Sequence, residues 1–124
     1  NNQSQSQSGG GLFVGNESIS DTVSRVPGSL SHLTFVNNYA QIGGGGIFIW
    51  NTVDFNITHC TFVGNEANDV GWSGGGLAIH ANAGVSILNS LFYDNYPVSV
   101  HDGTPNSPFE INYTRTTPTF GWRW

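Results

Sequence analysis

The sequence predicts an all-β chain: a short solenoid of about three coils followed by an irregular C-terminal tail. Two recurring phrases and the composition carry that expectation. The first phrase is a glycine cluster leading an apolar alternation, in Gly9-Gly10-Gly11-Leu12-Phe13-Val14, Gly44-Gly45-Gly46-Ile47-Phe48-Ile49 and Gly74-Gly75-Gly76-Leu77-Ala78-Ile79. The second is Phe-x-x-Asn, in Phe35-Val36-Asn37-Asn38, Phe62-Val63-Gly64-Asn65 and Phe92-Tyr93-Asp94-Asn95. With 17 Gly in 124 residues and 37% hydrophobic residues there is material for one domain with one slim core. A period of about 30 residues, made of short alternating strands and turn residues, means that each unit buries its apolar face only against the next.

Taken in order, residues 1–8 read Asn-Asn-Gln-Ser-Gln-Ser-Gln-Ser, polar low complexity expected to be flexible. Residues 9–100 hold the repeats. Successive side chains of a strand face opposite sides, so Leu12 and Val14, Ile47 and Ile49, and Leu77 and Ile79 fall into two inward columns. The glycine clusters let the chain turn sharply and neighbouring coils approach closely; no Lys or Ser/Thr follows in a P-loop arrangement, so they are not read as phosphate cradles. A second strand places Phe55 and Ile57 over Val85 and Ile87 and leaves Asn56 outside. A third brings Phe35, Phe62 and Phe92 into an aromatic stack, with Leu33, Cys60 and Ser90 beside it. Asn38, Asn65 and Asn95 stand at a fixed distance from these Phe residues. They are expected to sit at inward corners of positive φ and to form a ladder about 4.8 Å apart. Residues 101–124 lose the pattern to Pro105, Pro108 and Pro118, retain one candidate strand at 108–114, and close on Phe120-Gly121-Trp122-Arg123-Trp124.

Charge and motifs exclude several function classes. The net charge is −5, and Arg25, Arg115 and Arg123 supply all the Lys or Arg, so the electrostatic footprint of a nucleic-acid binder is missing. No segment is apolar enough for a bilayer-spanning helix. The absence of Met suggests a processed product or a piece of something longer. Three sequons, at Asn16, Asn56 and Asn112, point to the secretory route and to N-glycans on a secreted or cell-surface protein. The lone Cys60 has no internal partner for a disulfide and reads as a buried thiol.

Together the Gly-Gly-Gly-(Ile/Leu)-x-Ile and Phe-x-x-Asn motifs resemble the repeats of polymorphic outer-membrane proteins and related right-handed parallel β-helix passengers and adhesins, over residues 9–100. The resemblance implies that the solenoid is a short right-handed parallel β-helix with three sheets along its axis, a surface or secreted location, and adhesive or structural work. The chain departs from that family in its small number of repeats and in lacking the membrane barrel of autotransporters.

No enzymatic activity is expected. Lyase chemistry on uronates needs a base and cations, and glycoside hydrolysis needs convergent carboxylates. Arg25 and Arg115 are isolated, and Asp54, Asp69, Asp94 and Asp102 share no column. His32 and His59 fall at the same repeat position, with Asn89 in the third place, and read as polar corners rather than metal ligands. No cofactor or metal is expected. Trp50 and His80 align on the outside of the glycine-led strand; with Trp72, Trp122 and Trp124, and with Tyr93 and Tyr96 near a corner, they are candidates for sugar stacking or for an interface.

Three coils about 4.8 Å apart give a body about 15 Å tall, whose two ends are a large share of its surface. Their backbone edges invite further strands. The expected function is therefore that of an extracellular structural glycoprotein that adds copies of itself head to tail into a fibre. The alternative is an adhesive or carbohydrate-binding module of a larger surface protein.

Overall fold

The computed structural model describes residues 2–4, 9–15, 27–52, 54–68, 73–81, 83–103, 109–112, 115–117 and 121–122. Short alternating apolar segments between turn residues fold as strands: β1 (Gln3–Ser4), β2 (Leu12–Gly15), β3 (Gly28–Ser31), β4 (Thr34–Val36), β5 (Tyr39–Ala40), β6 (Ile47–Trp50), β7 (Phe55–Thr58), β8 (Thr61–Val63), β9 (Glu66–Ala67), β10 (Leu77–His80), β11 (Val85–Leu88), β12 (Leu91–Tyr93), β13 (Val100–Asp102), β14 (Phe109–Asn112), β15 (Arg115–Thr117) and β16 (Gly121–Trp122). No helix occurs among the described residues.

The chain is all-β, and its strands pair in parallel within four sheets, ordered β1-β5-β9, β16-β13-β10-β6-β2, β14-β11-β7-β3 and β15-β12-β8-β4. That is one sheet more than the three the resemblance implies, because the two-residue segments after the ladder asparagines pair as well. Each sheet takes its strands from successive stretches of the chain, so equivalent positions superpose. In the glycine-led sheet Leu12, Ile47, Leu77 and Val100 share one column, and Val14, Ile49, Ile79 and Asp102 share another. In the next sheet Leu30, Ile57, Ile87 and Ile111 align. The fourth aligns Phe35, Phe62, Phe92 and the backbone of Thr116.

These inward columns make one core. Ile47, Ile49, Ile57, Phe62, Leu77, Ile79, Ile87, Phe92 and Val100 are fully buried. Leu12, Val14, Leu30 and Phe35 in the first layer, and Ile111 in the last, pack against that core but are only partly buried. Phe62 stacks on Phe92 with centroids 4.3 Å apart and planes 1° from parallel, and on Phe35 at 5.0 Å and 8°. Each such pair adds about 0.5–1.5 kcal/mol beyond burial.

Two expectations about the chain ends are corrected. Residues 101–124 were expected to be irregular apart from one candidate strand at 108–114, where β14 lies; beyond that expectation Asp102 ends β13, and β15 and β16 join β14 in extending three of the sheets in parallel register. The sequence pattern fades there because the key letters change while the backbone bonds persist. Ser99 takes the place of the last cluster glycine, its carbonyl accepting from Leu77 N at 3.0 Å, and Thr116 stands where Phe is expected. At the other end Gln3–Ser4, within the segment expected to be flexible, pairs with Tyr39–Ala40. A polar strand needs no apolar letters when its backbone finds a sheet edge.

Candidate functional site

Asn38, Asn65 and Asn95 are joined by hydrogen bonds into a buried ladder. Asn65 Oδ1 accepts from Asn38 N and Asn38 Nδ2, both at 3.0 Å. Its Nδ2 donates to Phe35 O at 2.9 Å and to Asn95 Oδ1 at 3.0 Å. Asn95 repeats the geometry, accepting also from Asn65 N and donating to Phe62 O. All three asparagines are buried. The ladder has a further member that motif reading missed: Asn2 N donates to Asn38 Oδ1 at 2.8 Å, and Tyr39 N donates to Asn2 O at 2.9 Å, as Glu66 N does to Asn38 O. The signal was an Asn directly before a short pairing segment, without a preceding Phe.

Positive φ does not fall on the ladder residues themselves. It falls one position earlier, on Asn37 (52°), Gly64 (61°) and Asp94 (53°). Turning there leaves the ladder asparagine free to aim both its backbone N–H and its amide along the stack. A second corner of the same kind holds His32, His59 and Asn89, at φ 58°, 53° and 51°. The two imidazoles are exposed and stack at 4.9 Å and 4°, and Asn89 Nδ2 lies 3.4 Å from His59 Nε2.

On the outer face of the glycine-led sheet Phe48, Ala78, His80 and His101 are buried and Trp50 is half-buried. The rings cover one another: Phe48 lies 5.6 Å from Phe13, 6.0 Å from Trp50 and 5.3 Å from His80, and His80 lies 5.0 Å from His101. Strands β6 and β10 are thus withdrawn from water on both faces, as the near-continuous burial of β10 requires. Trp72 and Trp124 lie outside the described residues, and of Trp122 the backbone alone is described, paired with Asp102. Tyr93 and Tyr96 are 54% and 58% exposed, on and just beyond β12.

Of the sequons, Asn56 and Asn112 are exposed on the outer face of one sheet, while Asn16 lies outside the described residues. Asn56 Nδ2 donates to Asp54 O at 3.2 Å, and Asn112 Nδ2 contacts Glu110 Oε1. Beside Asn56 runs a groove of about 470 Å³, lined by Asp54, Asn56, Gly84, Val85, Ser86 and Glu110 among others.

Cys60 is buried, its Sγ 3.4 Å from Thr58 O, and its backbone N–H donates to Ser90 Oγ at 3.1 Å. Of the described carboxylates, Asp54 and Glu110 line the groove beside Asn56. Asp54 and Asp94 are exposed, Asp102 is buried in the glycine-led sheet, and Asp69 lies outside the described residues. Among the described residues no group of three or more His, Cys, Asp or Glu gathers at one point.

Comparison with family models, with curated proteins and with solved structures finds no match to this chain.

Proposed function

We propose that the chain is an extracellular structural glycoprotein: a right-handed parallel β-helix, similar in its motifs to polymorphic outer-membrane protein repeats, that adds copies head to tail into a fibre. Successive parallel strands in each of four sheets support a solenoid path, and crossovers between parallel strands are almost always right-handed. One observation carries the assembly. In the first layer Leu12, Val14, Leu30 and Phe35 are partly exposed, whereas Ile47, Ile49, Ile57 and Phe62, their partners in the next layer, are fully buried. The end strands β2, β3 and β4 each have one sheet neighbour among the described residues. That end therefore offers apolar side chains and a backbone edge in the arrangement that each inner layer uses to hold the next. A head-to-tail contact of this kind does not close on itself and yields an open filament.

The test is light scattering after size exclusion, with negative-stain electron microscopy, on the purified chain. Fibres that vanish in Leu30→Arg, with the circular dichroism of the monomer retained, are the expected result. A monomer that forms no fibre at high micromolar concentration overturns the reading. The exposed pair Tyr93 and Tyr96 favours a second reading, a carbohydrate-binding module, which predicts a soluble monomer that binds on a glycan array.

A further inference from the structure

We propose that the groove beside Asn56 is the seat of an N-linked glycan on that residue, holding its first two N-acetylglucosamine rings against the sheet. This rests on the reading that the chain travels the secretory route. The outward column through Asn56 runs Ser29, Asn56, Ser86, Glu110. Small hydroxyl side chains flank the asparagine on both sides, so nothing bulky stands over it. Ile57, the middle residue of the sequon, is fully buried and points the other way, which keeps Asn56 facing out.

The bond from Asn56 Nδ2 to Asp54 O uses one amide hydrogen; the other is the position a sugar takes. Attachment forms a bond from Nδ2 to the sugar C1 and breaks the C1–O bond to a lipid-linked diphosphate. The diphosphate leaves with the electron pair, and one amide proton is released. From Asn56 the groove passes over Ser86 to the Glu110 carboxylate, two strand spacings or about 10 Å away, the reach of two pyranose rings. Its volume of about 470 Å³ lies within the range of built ligand sites, roughly 300–1,000 Å³. The Ser86 hydroxyl and the Glu110 carboxylate provide partners for the N-acetyl and hydroxyl groups of the sugar. Asn112 is also exposed on this sheet and does not line the groove, although its Nδ2 contacts Glu110 Oε1, so it serves as the comparison site within the chain.

The experiment expresses the chain in a secretory host and follows glycopeptides by mass spectrometry during digestion with a peptide N-glycosidase. In the native protein, release at Asn56 is expected to be about tenfold slower than at Asn112, the factor given by about 1.4 kcal/mol of holding. The two rates should converge after denaturation, and also in the folded Ser86→Phe variant, whose ring fills the seat. An unmodified Asn56, or native release at Asn56 within twofold of the denatured rate, overturns the proposal. Should Ser86→Phe fail to fold, the native-against-denatured comparison on the parent chain still decides. Fibre formation is scored separately on deglycosylated protein, so seat and fibre can fail independently.

Discussion

Replacing Asn65 by Ala removes the middle rung of the ladder, and the structure allows its effect to be worked out. Asn95 Oδ1 keeps a donor in Asn65 N, so it is not stranded. Asn38 N and Asn38 Nδ2 lose the oxygen that both now share, and Phe35 O loses the amide that donates to it. Asn38 is only 4% exposed, so water does not readily replace the missing acceptor. Three groups left without these partners at about 1–3 kcal/mol each bracket a loss of roughly 3–9 kcal/mol, and partial hydration of the vacated space argues for about 4 kcal/mol. Against a typical total of about 5–15 kcal/mol, that is a large fraction of the stability. Urea titration followed by tryptophan fluorescence and far-ultraviolet circular dichroism should show a lowered midpoint at unchanged slope. Asn65→Asp, which keeps the shape but turns a carboxylate toward Phe35 O and Asn95 Oδ1, should be no better tolerated. A loss below about 1 kcal/mol for Asn65→Ala, the net worth of a single ordinary hydrogen bond, would refute the ladder as a cooperative support.

Other substitutions test the backbone geometry with opposite signs. Ala81 sits at φ 54°, where an L side chain costs about 1–2 kcal/mol; Ala81→Gly should therefore raise the thermal midpoint slightly, since the added chain entropy offsets only about 0.5–1 kcal/mol. Gly75→Ala should destabilise by at least about 3 kcal/mol in the same assay, because a Cβ there would press on the Tyr96 backbone and lie 2.6 Å from Asn65 O. Phe62→Ala, which breaks both ring stacks of the core column at once, should cost about 3–5 kcal/mol by denaturant titration.

Much of the inner architecture could be read from residue order. Strands facing the core alternate with period two, so Leu12, Ile47 and Leu77 declare their column, and the recurring Phe and Asn declare two more. The ladder spacing of 27 residues from Asn38 to Asn65 and 30 from Asn65 to Asn95 shows how small an insertion the repeat carries between these rungs. Such signals survive in one dimension because each column asks for the same side-chain size at the same place in every layer.

Three features had no such signal. Asn2, Gln3 and Ser4 join the stack through their backbone N–H and C=O groups, and β15 and β16 extend it after its glycine and Phe letters have gone, because a parallel sheet edge accepts any chain that can present those groups. Burial of His80, His101 and Phe48 on the outward face followed from ring-to-ring stacking across layers, which no local pattern announces. The groove at Asn56 likewise exists only because Ser86 and Glu110, far apart in the chain, are brought by register into one column. Side-chain repetition thus determined which residues face inward. Backbone pairing, indifferent to side-chain identity, decided how far the stack runs, and cross-layer register decided what lies beside what on its surface.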